Sequence, residues 1–134
     1  MKEKLEEGKK PEPTKSELEI LQVLWEHGPS TVRFVNDQLN HQREVNYTST
    51  LKLMQIMWEK GILVRDETSM KHIYSVAEEE QKTKAFLLDK FVDAMYKGSA
   101  SKLIMQLLGN KKTSKEEMDA IRTILTKIED KGKK

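Results

Sequence analysis

The sequence predicts a mainly α-helical protein with one short β-hairpin. Apolar residues recur at three- and four-residue spacing through most of the chain, and capping residues and glycines divide those stretches. Only residues 62–76 carry β-rich runs, two of them around a polar turn. The chain has 134 residues, enough for one compact domain or two small ones. Its 24 Lys+Arg against 22 Asp+Glu give a formal net charge of only +2, and 37% of residues are apolar. Cysteine is absent, which excludes disulfides, thiolate metal sites and a cysteine nucleophile. The charged start lacks the apolar core of a secretory signal, and no apolar run approaches the roughly 20 residues of a membrane span. A soluble, cytoplasmic protein without membrane insertion is expected.

Residues 1–13 mix lysine, glutamate and two prolines and read as a disordered leader. Thr14-x-x-Glu17 and Ser16-x-x-Glu19 are overlapping capping boxes that start a first helix. Its apolar stripe is Leu18, Leu21 and Trp25, widened by Leu24, and Gly28-Pro29 stops it. Ser30 can cap a second helix with Val32, Val35 and Leu39 facing the core. After a polar connection over 41–45, Asn46 can cap a third helix that runs to Lys60, with Gly61 suited to a left-handed C-terminal cap. Ile62-Leu63-Val64-Arg65, the turn 66–70, and Lys71-His72-Ile73-Tyr74-Ser75-Val76 form the hairpin. Residues 14–77 thus make one unit, helix–helix–helix–hairpin.

Residues 78–134 read as helical throughout. Helices are expected over 82–96, with Phe86, Phe91 and Met95, over 100–108, with Leu103 and Leu107, and after the capping box Ser114-x-x-Glu117. Behind that box Met118, Ile121, Leu125 and Ile128 step by three, four and three residues, a short a/d seam. Three short helices with this much apolar surface are best buried against a second copy, which predicts a homodimer through these nine residues. The seam packing only within its own chain is the alternative.

No enzyme constellation is present. His27, His41 and His72 fall on three different elements without metal-ligand spacing, and there is no phosphate-binding glycine loop or nucleophile elbow. No metal, cofactor or catalytic residue is assigned. The informative stretch is the third helix. Thr48, Ser49, Lys52 and Gln55 project from one side while Leu53, Met54 and Met57 can face the core. Small hydroxyls on the first turn suit phosphates, and the longer Lys and Gln suit base edges in the major groove of double-stranded DNA. In a helix-turn-helix the second helix of the pair does this reading, and a hairpin with Arg65, Lys71 and His72 would lie on a neighbouring phosphate strand as a wing. The same residues also read as ordinary polar positions on a surface helix. Residues 14–77 hold seven basic and eight acidic groups, so this half is net −1 and fails the simple basic-domain test. A protein-interaction module without DNA binding is the competing reading.

Two blocks carry a family resemblance. Thr14-x-Ser-Glu-x-Glu-Ile-Leu-x-Val-Leu-Trp25 followed by Gly-Pro-Ser-Thr-Val-Arg33 resembles the opening of the penicillinase-repressor family, which includes the methicillin-resistance and copper-transport repressors. Tyr47-Thr-Ser-Thr-Leu-Lys-Leu-Met-Gln55 and Glu59-Lys-Gly-Ile-Leu-Val64 resemble its recognition helix and first wing strand. The resemblance implies a winged helix-turn-helix domain followed by a three-helix dimerisation domain. It also implies a homodimeric repressor on a pseudo-palindromic operator and a membrane sensor-protease as partner. By the same resemblance Thr48, Ser49 and Lys52 are the main recognition contacts, Ser30 and Thr31 anchor phosphate, and Arg65 and Lys71 serve the wing.

This chain departs from the family pattern in four ways. It lacks the cysteine pairs of copper-responsive members. Where penicillinase-type members are cut between Asn and Phe, it has Gln106-Leu107. The family often has Glu where Phe34 stands and Arg where Ile56 stands. An apolar Phe34–Ile56 contact in place of an ion pair is the expectation drawn from that double change, since such exchanges are often neutral or stabilising.

Overall fold

The computed structural model describes residues 12–109 and 114–132, with side chains as far as Lys127. The leader expected over 1–13 lies outside the described residues except for Glu12 and Pro13, which are non-helical. The element order is α1 (Lys15–His27), α2 (Val32–Leu39), α3 (Tyr47–Glu59), β1 (Leu63–Asp66), β2 (Ile73–Val76), α4 (Glu80–Tyr96), α5 (Ala100–Gly109) and α6 (Lys115–Gly132). The chain groups into two compact units, and the division falls inside α4, between Ala85 and Phe86.

The helix starts follow from local chemistry. Of the two overlapping boxes, Thr14/Glu17 is the one formed: the Thr14 hydroxyl accepts from the Glu17 N–H at 3.2 Å, and the Glu17 carboxylate accepts from the Thr14 N–H at 2.9 Å. Asn46 caps α3 as expected, its side-chain oxygen accepting from the Ser49 N–H at 2.8 Å. The cap of α2 is Thr31 rather than Ser30. Ser30 is held back by β2: its N–H donates to the Tyr74 carbonyl and its own carbonyl accepts from the Tyr74 N–H, a bridge that leaves Thr31 as the residue entering the helix. Gly61 closes α3 at φ +83, a conformation that strains residues carrying a Cβ.

The core of the first unit is Ile20, Leu21, Leu24, Val32, Val35, Leu39, Met54, Met57, Leu63 and Tyr74, with Leu18, Trp25 and Leu53 partly buried at its margin. The stripe of α1 is therefore centred on Ile20, Leu21 and Leu24 rather than on Leu18 and Trp25. The strands pair antiparallel in the register Leu63↔Val76 and Arg65↔Tyr74. That register places Leu63 and Tyr74 inward. Phe34 and Ile56 are each 37% exposed, and the ring neighbour of Phe34 is His27, edge-on at 5.1 Å.

A buried charge joins the start of α1 to the end of α3. Glu17 is only 2% exposed, and both of its carboxylate oxygens accept from Lys60 Nζ, at 3.0 and 2.9 Å. One carboxylate thus serves as a helix cap and as half of an ion pair. Removing only the cation leaves a buried anion, the costly way to break such a pair. Lys60→Met should lower unfolding free energy by about 2–3 kcal/mol, at the low end of such losses because Lys60 itself is a third exposed. The double change Glu17→Leu with Lys60→Met should cost less than Lys60→Met alone. Urea titrations with unchanged m-values read both, and a double variant that is the less stable of the two contradicts the assignment.

Candidate nucleic-acid interface

The third helix presents two faces of opposite character. Thr50, Met54 and Met57 are buried, while Thr48, Ser49, Lys52 and Gln55 are exposed. The four residues expected to form a contact row are therefore brought together on the solvent side. Their helix is fixed from behind by Asn36 of α2, whose side-chain amide donates to the Thr50 hydroxyl at 2.8 Å and to the Val45 carbonyl at 3.1 Å. Asn40 completes the turn. Its amide donates to the same Val45 carbonyl at 2.8 Å, and its side-chain oxygen accepts from the Val45 N–H at 3.1 Å. Asn36 and Thr50 are 5% and 1% exposed, so this α2–α3 joint is a buried polar clamp with its partners satisfied.

The hairpin is tied to the same frame. Arg65 Cζ lies 3.6 Å from the centroid of the Trp58 ring, and its Nε donates to Glu67 at 2.6 Å. The guanidinium pKa is raised above its ordinary value, first by the hydrogen bond to the Tyr74 hydroxyl and then, against desolvation, by Glu67. Arg65 is thus engaged inside the fold, fastening the wing root to α3. Ser30 is 7% exposed and its hydroxyl donates to the Gly28 carbonyl. The structure does not bring these two residues onto the open surface with the α3 row. Lys71 and His72 are exposed beside the wing turn, and Thr31 sits half-buried at the start of α2 with its hydroxyl capping Phe34.

Comparison with known proteins settles the family. The Penicillinase repressor family profile matches residues 13–127. The chain belongs to the penicillinase-repressor family. Similar proteins include the methicillin resistance regulatory protein MecI of Mammaliicoccus sciuri, 22% identical over 116 residues that cover 87% of this chain and 94% of the relative. The corresponding protein of Staphylococcus aureus strain N315 is 21% identical over the same coverage. The transcriptional regulator BlaI of Mycobacterium tuberculosis strain H37Rv is 24% identical over 112 residues, covering 82% of this chain and 80% of the relative. The penicillinase-repressor fold accounts for the three helices and antiparallel hairpin of the first unit.

In the second unit the apolar positions expected to meet a second copy range from half-buried to exposed. Phe91, Met95, Leu107 and Leu125 are 47%, 63%, 45% and 39% exposed, and Phe86, Leu103, Met118 and Ile121 are half-buried. The Ile128 side chain lies outside the described residues. Gln106 and Leu107 are exposed within α5.

Ion pairing changes which charges of residues 14–77 are left to act at the surface, without changing their net −1. Among the described residues three of the seven basic groups in residues 14–77 have ion-pair partners: Arg43 with Glu19, Lys60 with Glu17 and Arg65 with Glu67. Arg33, Lys52 and Lys71 are exposed, as are the carboxylates of Glu44 and Glu59 beside and within α3, so the field there depends on placement rather than on the domain total. The Glu19 carboxyl is held below the usual glutamate range, chiefly by its hydrogen bond from Arg43, with the charges of Arg43 and Lys15 adding to it against desolvation. Because the folded-state value lies below the unfolded one, this pair's contribution is present above the ordinary glutamate range. It is lost as pH falls through the lowered value. An NMR titration should show a depressed Glu19 midpoint that returns to the ordinary range in Arg43→Ala. Glu19→Gln should lose less stability than the parent on acidification below that range.

Proposed function

We propose that this chain is a homodimeric transcriptional repressor that inserts α3 of each copy into the major groove of a pseudo-palindromic operator. The observation that carries this reading is the exposed row Thr48, Ser49, Lys52 and Gln55 on a helix whose other face is locked into the core by Thr50, Met54 and Met57. Rigid support is what a base-reading helix requires, because contacts to base edges depend on register. Lys52 and Gln55 reach bases, Thr48, Ser49 and Thr31 take phosphates, and Lys71 meets the backbone from the wing. Ser30 and Arg65 act from behind, holding the wing and the start of α2 in place. The names of the relatives, regulators of resistance and of transcription, agree with this assignment.

The half-open apolar faces of α4, α5 and α6 support dimerisation through the second unit. Two joined readers gain affinity from each other, so loss of the dimer releases DNA. A cut at Gln106–Leu107 by a membrane sensor-protease is one route to that loss. It requires α5 to unwind locally, since proteases bind extended backbone. The working place of such a repressor is the cytoplasm.

The test is binding of the purified full chain to a duplex selected from a randomised pool, titrated against salt, with solution mass measured in parallel. Lys52→Ala should weaken the selected duplex by about 1–3 kcal/mol while leaving the thermal midpoint unchanged. A monomeric mass overturns the dimer. A parent protein that prefers no duplex overturns the reader and leaves a protein-interaction module in its place.

A further inference from the structure

Before residue 86 the chain has three arginines, and their surroundings differ. Arg43 is paired with Glu19, and Arg65 is paired with Glu67 and stacked on Trp58. Arg33, in the first turn of α2, is exposed, and among the described residues no carboxylate pairs with it. Its neighbour is an aromatic ring: Arg33 Cζ lies 4.4 Å from the centroid of Tyr47, the first residue of α3, itself 37% exposed. A guanidinium attracted to a ring face needs no hydrogen-bond acceptor to be held there. The side chain is therefore held by the ring, and among the described residues no hydrogen bond or ion pair of its guanidinium competes for its donors.

The position matters because Tyr47 adjoins Thr48 and Ser49 at the entry of the contact row, whereas α2 is the helix that crosses the sugar–phosphate backbone in this geometry. We propose that Arg33 is a phosphate-positioning residue, held by Tyr47 at the rim of the groove that α3 enters, and that it sets the register of α3 without reading a base. The inference rests on the DNA-binding reading above. A planar guanidinium can meet a phosphate with two parallel hydrogen bonds, and restraint by the ring lowers the entropy lost when it does. Neither helix alone makes the site: the cation comes from α2 and the platform from α3, so the buried Asn36–Thr50 clamp also fixes their separation.

The experiment uses the full chain, the duplex selected from a randomised pool and a scrambled duplex of the same length. Arg33→Ala should weaken both duplexes by a common factor, roughly tenfold. It should also lower the slope of log affinity against log salt by about 0.9 for each Arg33 that meets a phosphate. Arg33→Lys should keep the slope. Tyr47→Leu should weaken binding with the charge intact, and Tyr47→Phe should bind as the parent does. Thermal midpoints close to the parent's exclude a folding effect. An unchanged slope in Arg33→Ala, a changed ratio between the two duplexes, or parental binding by Tyr47→Leu each overturns the proposal. If Lys52→Ala is disruptive while Arg33→Ala is silent, only this inference fails. If the parent prefers no duplex, the DNA-binding reading fails with it.

Discussion

The hydrogen bond from the Asn36 amide to the Thr50 hydroxyl is the constraint on which the first unit's geometry depends. Apolar packing between α2 and α3 is permissive, because methionines such as Met54 and Met57 can refill a gap after a small shift. A hydrogen bond buried among them is not permissive. Sliding α3 by part of a turn would take the buried Thr50 hydroxyl away from the Asn36 amide, and an unmet buried polar group costs more than the bond's own net contribution. The Val45 carbonyl, accepting from both Asn36 and Asn40, extends the constraint into the turn. Register, spacing and the exit of the turn are thereby fixed at one point.

Much of the fold was legible from residue type alone. Thr14 with Glu17, Asn46, Gly61 and Ser114 with Glu117 act within a few residues of themselves, so their structural consequences follow from local sequence. Ser30 misled because the residue that displaces it as a cap is Tyr74, forty-four positions away. Glu17, Asn36 and Thr50 were illegible for a related reason. A periodic pattern assigns polar residues to the outside, and their burial depends on partners in other helices. The row Thr48, Ser49, Lys52 and Gln55 could be read because the apolar residues opposite them define the other face. Arg33 could not be singled out, since nothing in its neighbourhood shows that Arg43 and Arg65 are engaged elsewhere.

Net charge was a poor guide for the same physical reason. An ion pair removes two charges from the field while leaving the domain total unchanged. Pairs that fasten Arg43 to α1 and Arg65 to the wing root act as mechanical ties. What remains near α3 is a small number of charges of both signs, Arg33 and Lys52 with Glu44 and Glu59 among them. In the proposed DNA reader, a surface of mixed sign holds duplexes of any sequence only weakly.

The isolated backbone bridge between Ser30 and Tyr74 ties the two-stranded hairpin to the start of α2, so the wing is not an appendage. Its two ends therefore differ in how freely they can change over evolutionary time. The turn from Glu67 to His72 is exposed throughout, with Met70 projecting wholly into solvent, so length and composition can drift there with little effect on the core. One residue inserted within β2 would turn Tyr74 outward and withdraw the carbonyl that holds Ser30. Variation among descendants of this chain should accordingly collect at the wing tip and stop abruptly at Ile73.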